Sequence, residues 1–253
     1  MLHNASELHD LELQTRDGAL GKVKDFYFDD HYWTIRYLVV ETGSWLHSRR
    51  VLIASSVLFA IDWTDSQILV DLTRDQVRQS PGIDTAEPVS RALETDLHTH
   101  YGWNAYWLGA GFDSPTLGAG PALATAGLMP VTDLPPRRRL APDGDPDLRS
   151  AHAVRGYYLE AADGSIGHVD DYVFDDASWL VRYVVVDTRN WLPGRKVLLA
   201  PEWISEVKWS ESRVYVDIPR AEIKNAPVYD PGLPIETDYL ERLHAHHDRF
   251  ATH

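Results

Sequence analysis

The hydrophobic positions of this chain fall into short runs that are separated by turn-forming residues roughly every ten positions. The runs are rich in Val, Ile, Leu and Tyr, which is a composition typical of β-strands. Asp17-Gly18 lies between two of the runs and suits a tight hairpin turn, because glycine readily adopts a positive φ. The pattern predicts about five or six short strands. They include residues 23–28, 34–40, 51–53 and 67–72.

The same pattern occurs twice in the chain. Residues 2–100 and 148–246 align without a gap, so that Asp17-Gly18 corresponds to Asp163-Gly164. Such internal repetition indicates a duplicated structural unit. A feature kept in both copies is required by the unit, whereas a feature of one copy alone is a candidate for specialisation.

Helix signals follow the strands of each copy. Thr73 and Gln76 form a capping box, in which each side chain satisfies a backbone N–H of the other residue. Residues 88–100 and 234–250 carry leucines at helical spacing. Between the copies lies a long segment rich in Gly, Ala and Pro, which predicts a linker. The predicted divisions are a first repeat with its terminal helix, a linker with an aromatic start, and a second repeat with its terminal helix, at residues 1–100, 101–147 and 148–253.

We therefore predict an all-β protein made of two tandem small β-barrels, each followed by short terminal helices. Short strands of this composition are best stabilised by closing into a barrel, because closure leaves no free strand edges. A chain of 253 residues can bury two cores of roughly 100 residues each. We expect the two barrels to pack as a pseudo-symmetric pair through their terminal helices and the aromatics of residues 101–107.

The composition narrows the classes of partner and compartment. The formal net charge is −14, so a phosphate backbone would be repelled and nucleic acid is not expected as a partner. No window approaches the ~20 apolar residues of a membrane span, and no leader pattern is seen at residues 1–7. The chain has no Cys, which suits a reducing compartment. We expect a cytoplasmic location.

Several charged residues have a structural explanation. Asp29-Asp30 and the corresponding pair Asp175-Asp176 suit turns, because aspartate bonds its own backbone. Arg36 and Arg182 lie within apolar strands, so each is expected to pair with an aspartate of a neighbouring strand.

Histidines recur near the end of each copy, at His98 and His100 and at His244 and His246. His244 and His247 lie three positions apart on one helical face, and imidazole is a common zinc ligand. His98 and His100 lie on different faces, and ligand spacing alone does not make a shaped site. We therefore expect these histidines to be solvated and predict no metal and no cofactor, with His244 and His247 as the only metal candidates.

Four tryptophans are candidate partner-binding residues. Trp45 and Trp191 follow the central strand of each copy, where an indole either plugs one barrel end or anchors a partner. Trp103 and Trp107 belong to residues 101–107, which are too aromatic for a solvated tether and are expected to dock on a barrel.

The motif order Asp-Gly-x-x-Gly-x-Val, then Phe-Asp-Asp-x-x-Trp-x-x-Arg-Tyr-x-Val-Val, then a strand ending in Ala54 or Ala200, resembles the PRC-barrel domain. The resemblance covers residues 2–81 and 148–227. In the wider family this fold forms the cytoplasmic part of one photosynthetic reaction-centre component and the C-terminal half of the ribosome maturation factor, neither of which is an enzyme active site. The resemblance implies a protein-docking fold and supplies no catalytic residues.

The sequence therefore favours a non-enzymatic protein-interaction or scaffolding module with a protein partner, and a homodimer is a further expectation. The alternative is a small-ligand or metal-binding sensor that uses the helix histidines or the aromatic linker. An enzyme is disfavoured because the chain has no Gly-x-Ser-x-Gly, no His-Glu-x-x-His and no phosphate-binding glycine loop followed by Lys-Ser or Lys-Thr.

Overall fold

The computed structural model describes residues 1–43, 48–83, 89–108, 148–188 and 195–247. These residues form two seven-stranded sheets and a few short helices, which confirms the all-β class. The first strands in chain order are β1 (Leu2–Asn4), β2 (Glu12–Thr15), β3 (Gly18–Asp29), β4 (Thr34–Thr42), β5 (Arg50–Ala54), β6 (Leu58–Asp62) and β7 (Gln67–Val70). They are followed by β8 (Leu148–Ser150), β9 (Tyr158–Ala161), β10 (Gly164–Asp175), β11 (Val181–Asp187), β12 (Lys196–Leu199), β13 (Ile204–Lys208) and β14 (Arg213–Val216). The helices are α1 (Arg74–Arg78), α2 (Arg91–Tyr101), α3 (Ala151–Val154), α4 (Arg220–Asn225) and α5 (Thr237–His247).

The two sheets have the same strand order, which confirms the duplication. The first follows β5-β4-β3-β2-β7-β6 and the second β12-β11-β10-β9-β14-β13. Within each path, β2 with β7 and β9 with β14 are parallel pairs, whereas the other neighbours are antiparallel. In the described residues neither ladder closes on itself, so the expected closed barrels are corrected to open sheets. The reason lies in the connection between β5 and β6, which is a 3₁₀ turn at Ser55–Val57 and does not bring the two strands together as a hairpin would.

Two glycines mark the closest backbone approaches in the sheets. A Cβ atom at Gly21 would overlap the carbonyl oxygen of Glu41, and one at Gly167 would overlap that of Asp187. Both glycines lie on the long strand of their copy, β3 or β10, near a register shift against the preceding strand. Glycine is required there because any side chain would push the paired strands apart.

Each copy lends its first strand to the sheet of the other copy. β1 pairs antiparallel with β10, and β8 pairs antiparallel with β3. An aromatic ring holds each lent strand, since His3 stacks on Trp63 with 3.9 Å between ring centroids and the Arg149 guanidinium lies 4.2 Å from the ring centroid of Trp209. We call this arrangement the strand exchange. It gives the chain a pseudo-two-fold relation between its halves.

The expected pairing of the halves is present, but it uses other surfaces than predicted. One hydrophobic core runs through both copies, and Phe26 and Phe28 contact Tyr172 across it. The helices instead cover the outer face of their own sheet, with Leu97 of α2 and Leu243 of α5 fully buried there. The outer face of each sheet is apolar and has to be buried. The helices bury it, so their apolar sides do not contact the other half.

The local turn chemistry agrees with the sequence. Asp29 Oδ1 accepts hydrogen bonds from the backbone N–H groups of His31 and Tyr32, at 2.9 and 3.1 Å. The other carboxylate oxygen of Asp29 lies 3.0 Å from the Arg36 guanidinium, which confirms the predicted ion pair. Arg182, at the corresponding position in the second copy, is exposed to solvent.

Candidate functional site

An exposed apolar patch lies along the outermost strand of the first sheet. β6 ends the hydrogen-bonded path, and Phe59 on it is 82 % exposed. Ala60 is also exposed, and its partner in register on β7 is Leu69, which is 40 % exposed. We call Phe59, Ala60, Leu69 and the neighbouring edge of β6 the apolar edge. An outermost strand offers backbone N–H and C=O groups to another strand, and apolar side chains beside it add surface to bury.

The second copy protects the same edge with polar and charged residues. Phe59 and Ala60 correspond to Ser205 and Glu206 of β13. Lys208 of that strand lies 3.8 Å from Glu206 and covers the ring of Tyr215, with its Nζ atom 4.8 Å from the ring centroid. Charged side chains on an outer strand are the common protection against unwanted strand pairing. The apolar edge is therefore a specialisation of the first copy.

Two of the four candidate tryptophans fall within the described chain. Trp45 and Trp191 lie outside the described residues. Trp103 and Trp107 are half-buried against α2, where the Trp107 ring lies 4.6 Å from that of His98. The Arg91 guanidinium lies 4.6 Å from the centroid of the same indole. The aromatic segment thus folds onto its own helix, and a role of these rings in partner binding stays a prediction.

A buried carboxylate organises this aromatic segment. Glu94 of α2 is fully buried and accepts hydrogen bonds from the hydroxyls of Tyr37 and Tyr106, at 3.0 and 2.6 Å. Arg91 donates a third, at 2.6 Å. Burial raises the pKa of the Glu94 carboxyl, and the two hydroxyls and Arg91 oppose the rise. Because its side chain is closed to solvent and occupied by protein donors, this carboxylate is suited to holding structure rather than to binding a substrate.

His98 and His247 are buried and His244 is half-buried, contrary to the expectation of solvated histidines, whereas His100 is exposed as expected. His98 Nε2 lies 2.7 Å from the Tyr37 hydroxyl, and His244 Nε2 lies 2.9 Å from the Tyr183 hydroxyl at the corresponding place. Because α2 and α5 lie flat on the sheets, one face of each helix turns its histidines inward, and the strand tyrosines become their partners. His247 is buried as well, and burial lowers the pKa of its imidazole to about 4.

One group in the described residues has the composition and spacing of a metal site, and it does not contain His244 or His247. His168, Asp170 and Asp187 can bring one ligand atom each within 4.8 Å of one another. However, Lys196 Nζ already lies 2.5 Å from an Asp170 oxygen. The ammonium supplies the charge that a metal would bring, so the group is best described as a salt-bridge cluster.

Sequence reasoning missed the apolar edge, although a signal was present. The comparison of Phe59 with Ser205 and of Ala60 with Glu206 shows a change from polar to apolar at two adjacent positions. Exposure, however, could not be read from the residues alone, since a short apolar run also suits a buried strand.

The family model of the PRC-barrel domain matches residues 2–77 and 147–229. The chain therefore belongs to the PRC-barrel domain family, and it carries two such domains in tandem. A search of curated proteins gives no match. Within the described ranges, no helix has the length and apolar content needed to cross a membrane.

Proposed function

We propose that this chain is a non-enzymatic protein-interaction module and that a protein partner binds at the apolar edge. The observation that carries the proposal is the 82 % exposure of Phe59 beside an outermost strand. Burying a phenylalanine side chain contributes about 1.5–3 kcal/mol to association before the entropic costs of binding. A strand added to β6 would also satisfy its backbone groups, which is a common way of recognising extended peptides.

The charges around the apolar edge define the chemistry of the partner. Residues 55–71 contain Asp62, Asp65 and Asp71 but no Lys or Arg, and because Asp71 is paired with Arg16, the charge offered to a partner is that of Asp62 and Asp65. Complementary charge fixes the register of a bound strand and excludes wrong partners. The partner segment is therefore an extended strand with an apolar residue for contact with Phe59 and with flanking Lys or Arg residues.

The test compares partner capture by the full chain with capture by two variants. Phe59→Ser introduces the residue of the second copy at this position, and Leu233→Ser is the control because Leu233 is also exposed, at 63 %, but lies outside the sheets. We expect crosslinked capture from native extract to lose a protein with Phe59→Ser and to keep it with Leu233→Ser. The crosslinks should map to β6 and β7.

Two results would contradict the proposal. If both variants retain the same proteins, the apolar edge is not the binding surface. If the only species lost with Phe59→Ser is a second copy of the chain, detected by sedimentation as a change from dimer to monomer, the surface serves self-association instead. The proposal places the protein in the cytoplasm, where fractionation of cells would find it.

The alternative function, a sensor that uses the helix histidines, draws little support from the arrangement of these residues. His98 and His244 are hydrogen-bonded to strand tyrosines, and His246 Nε2 lies 2.8 Å from the backbone oxygen of Glu222. A ligand for these imidazoles would have to displace contacts that hold the helices on the sheets.

A further inference from the structure

A cavity of about 370 Å³ lies between the two halves of the chain. Its walls come from residues 5–9 and 23–26 of the first copy and from residues 151–155 and 170–172 of the second. These stretches correspond to each other in the duplication, so the cavity lies on the pseudo-two-fold axis. Its volume is within the usual range of small-molecule sites, about 300–1,000 Å³.

Two corresponding aspartates, one from each copy, line the cavity. Asp25 accepts hydrogen bonds from the Ser150 hydroxyl at 2.5 Å and from the backbone N–H of His152 at 3.1 Å. Asp171 accepts one from the backbone N–H of Ser6 at 3.2 Å. These donors are neutral, and in the part of the chain that the structure describes neither carboxylate forms an ion pair. Burial raises the pKa of Asp171, and the hydrogen bonds from Ser6 and Tyr172 and the charge of Arg155 oppose the rise.

The cations that line the cavity are already paired with other carboxylates. Lys24 pairs with Asp10, and Arg155 lies 3.8 Å from Asp170. Asp170 also pairs with Lys196. The remaining titratable groups of the wall are the phenol of Tyr172 and the imidazoles of His9 and His152, of which the two imidazoles are exposed. The cavity therefore holds surplus negative charge, located at Asp25 and Asp171.

Two aromatic rings complete the wall. Phe26 and Tyr172 are corresponding residues, and their rings meet edge to face with 5.9 Å between centroids. Tyr172 is 2 % exposed, and its hydroxyl has no hydrogen-bond partner among the described residues. Buried hydroxyls are nearly always hydrogen-bonded, so this hydroxyl is suited to accept a hydrogen bond from a ligand that enters the cavity.

We propose that this cavity binds a small linear diamine, with one ammonium group at Asp25 and the other at Asp171. A dication matches two symmetry-related carboxylates, and each ammonium brings three N–H donors. The Tyr172 hydroxyl would accept a hydrogen bond from one of the ammonium groups. A single metal ion is much smaller than the cavity, whereas a linear diamine carries its two charges at separate ends of a carbon chain.

The probe is 1,4-diaminobutane, added to the full chain and followed by titration calorimetry at 150 mM salt. We expect one molecule to bind per chain. Butylamine, which has a single ammonium group, should bind at least tenfold more weakly, and uncharged 1,4-butanediol should show no binding. The salt concentration matters because a chain of net charge −14 attracts any polyamine weakly at low ionic strength.

The variants locate the binding. Asp25→Asn and Asp171→Asn keep an oxygen that accepts the backbone N–H groups, so they should fold as the wild type does while each lowers the affinity at least tenfold. Tyr172→Phe introduces the residue of the first copy and should lower the affinity by a few fold. Asp217→Asn is the matched control, because Asp217 is an exposed carboxylate outside the cavity wall.

Three outcomes would overturn the inference. The wild-type chain could show no saturable binding of 1,4-diaminobutane, or both aspartate variants could bind it as tightly as the wild type. In the third outcome inorganic phosphate binds instead and is lost with Lys24→Gln, which would assign the cavity to an anion. None of these outcomes bears on capture at the apolar edge, so this inference and the proposed function can fail separately.

Discussion

Single residues in this chain take their roles from which surface they face, and the histidines illustrate this best. Spacing placed His244 and His247 on one helical face but could not show that this face lies against the sheet. In the structure His244 is hydrogen-bonded to Tyr183, while both ring nitrogens of His247 lack a partner among the described residues. An unpartnered buried imidazole is favoured in its neutral form.

This gives a prediction for the pH dependence of stability. Burial, with smaller effects of His246 and His244, lowers the pKa of His247 to about 4, whereas an unfolded chain binds a proton at its ordinary pKa of about 6.5. The unfolded state therefore gains protons first as the pH falls. Neutral His247 makes its full contribution to the free energy of unfolding above about pH 6.5. This contribution decreases by about 2 kcal/mol on going to pH 5.

Urea unfolding at pH 7.5 and pH 5 measures this effect. His247→Leu should show a smaller loss of unfolding free energy between the two pH values than the wild type does. His152→Leu is the control, because His152 is exposed. An equal pH dependence in the wild type and in His247→Leu would show that other groups cause the loss.

At the scale of elements, the sequence predicts the strands well and their partners only in part. The strand runs and the shared topology follow from the repeated pattern of apolar residues and turns, and the Thr73–Gln76 capping box begins α1 as expected. The strand exchange was not predicted, because β1 and β8 contain three residues each and such short segments carry no periodic signal. The sequence predicts closed barrels, whereas the sheets are open in the described residues. The sequence does not show that a 3₁₀ turn separates β5 from β6.

The aromatic segment after α2 was predicted to dock, and the structure gives the reason it docks there. Glu94 provides the acceptor for Tyr106, whereas the corresponding residue of α5 is Leu240. The sequence does not predict that this helix glutamate is buried, because most glutamates on helices are exposed. The difference between the copies at this position was the available signal.

A substitution in α2 tests this arrangement. Glu94→Leu introduces the residue of the second copy. It removes the acceptor of Tyr106 and Arg91 and one of the two partners of Tyr37, so we expect a loss of about 1–3 kcal/mol in unfolding free energy. Hydrogen exchange of residues 101–108 should become faster, as measured by mass spectrometry. Asp96→Leu, on the exposed side of α2, should change neither value much. Unchanged exchange in Glu94→Leu would mean that ring packing alone holds the segment.

At the scale of the whole molecule, the halves share both their sheets and a core. Each sheet contains a strand from the other half, and one hydrophobic core includes residues of both. The predicted domain boundaries at residues 100 and 148 therefore stay a prediction. The shared core instead suggests that the halves unfold together.

Cutting the connection tests this cohesion. A protease site introduced between residues 109 and 147 should be cleaved without separating the halves, which we expect to elute together in size-exclusion chromatography at micromolar concentration. Heating should give one calorimetric transition before and after cleavage, with a lower, concentration-dependent midpoint after it. Elution of two separate halves would show that the lent strands contribute little to their association.

The strand exchange also has an evolutionary consequence. Two separate copies that lend each other a strand form a dimer that dissociates on dilution, whereas joining them in one chain replaces that dependence by a fixed effective concentration. Fusion also removes the requirement that both copies carry the same residue at each position. Differences such as Phe59 against Ser205 or Glu94 against Leu240 can then accumulate on one side only. A symmetric dimer would have to carry each change twice, while the fused chain can give its halves separate tasks.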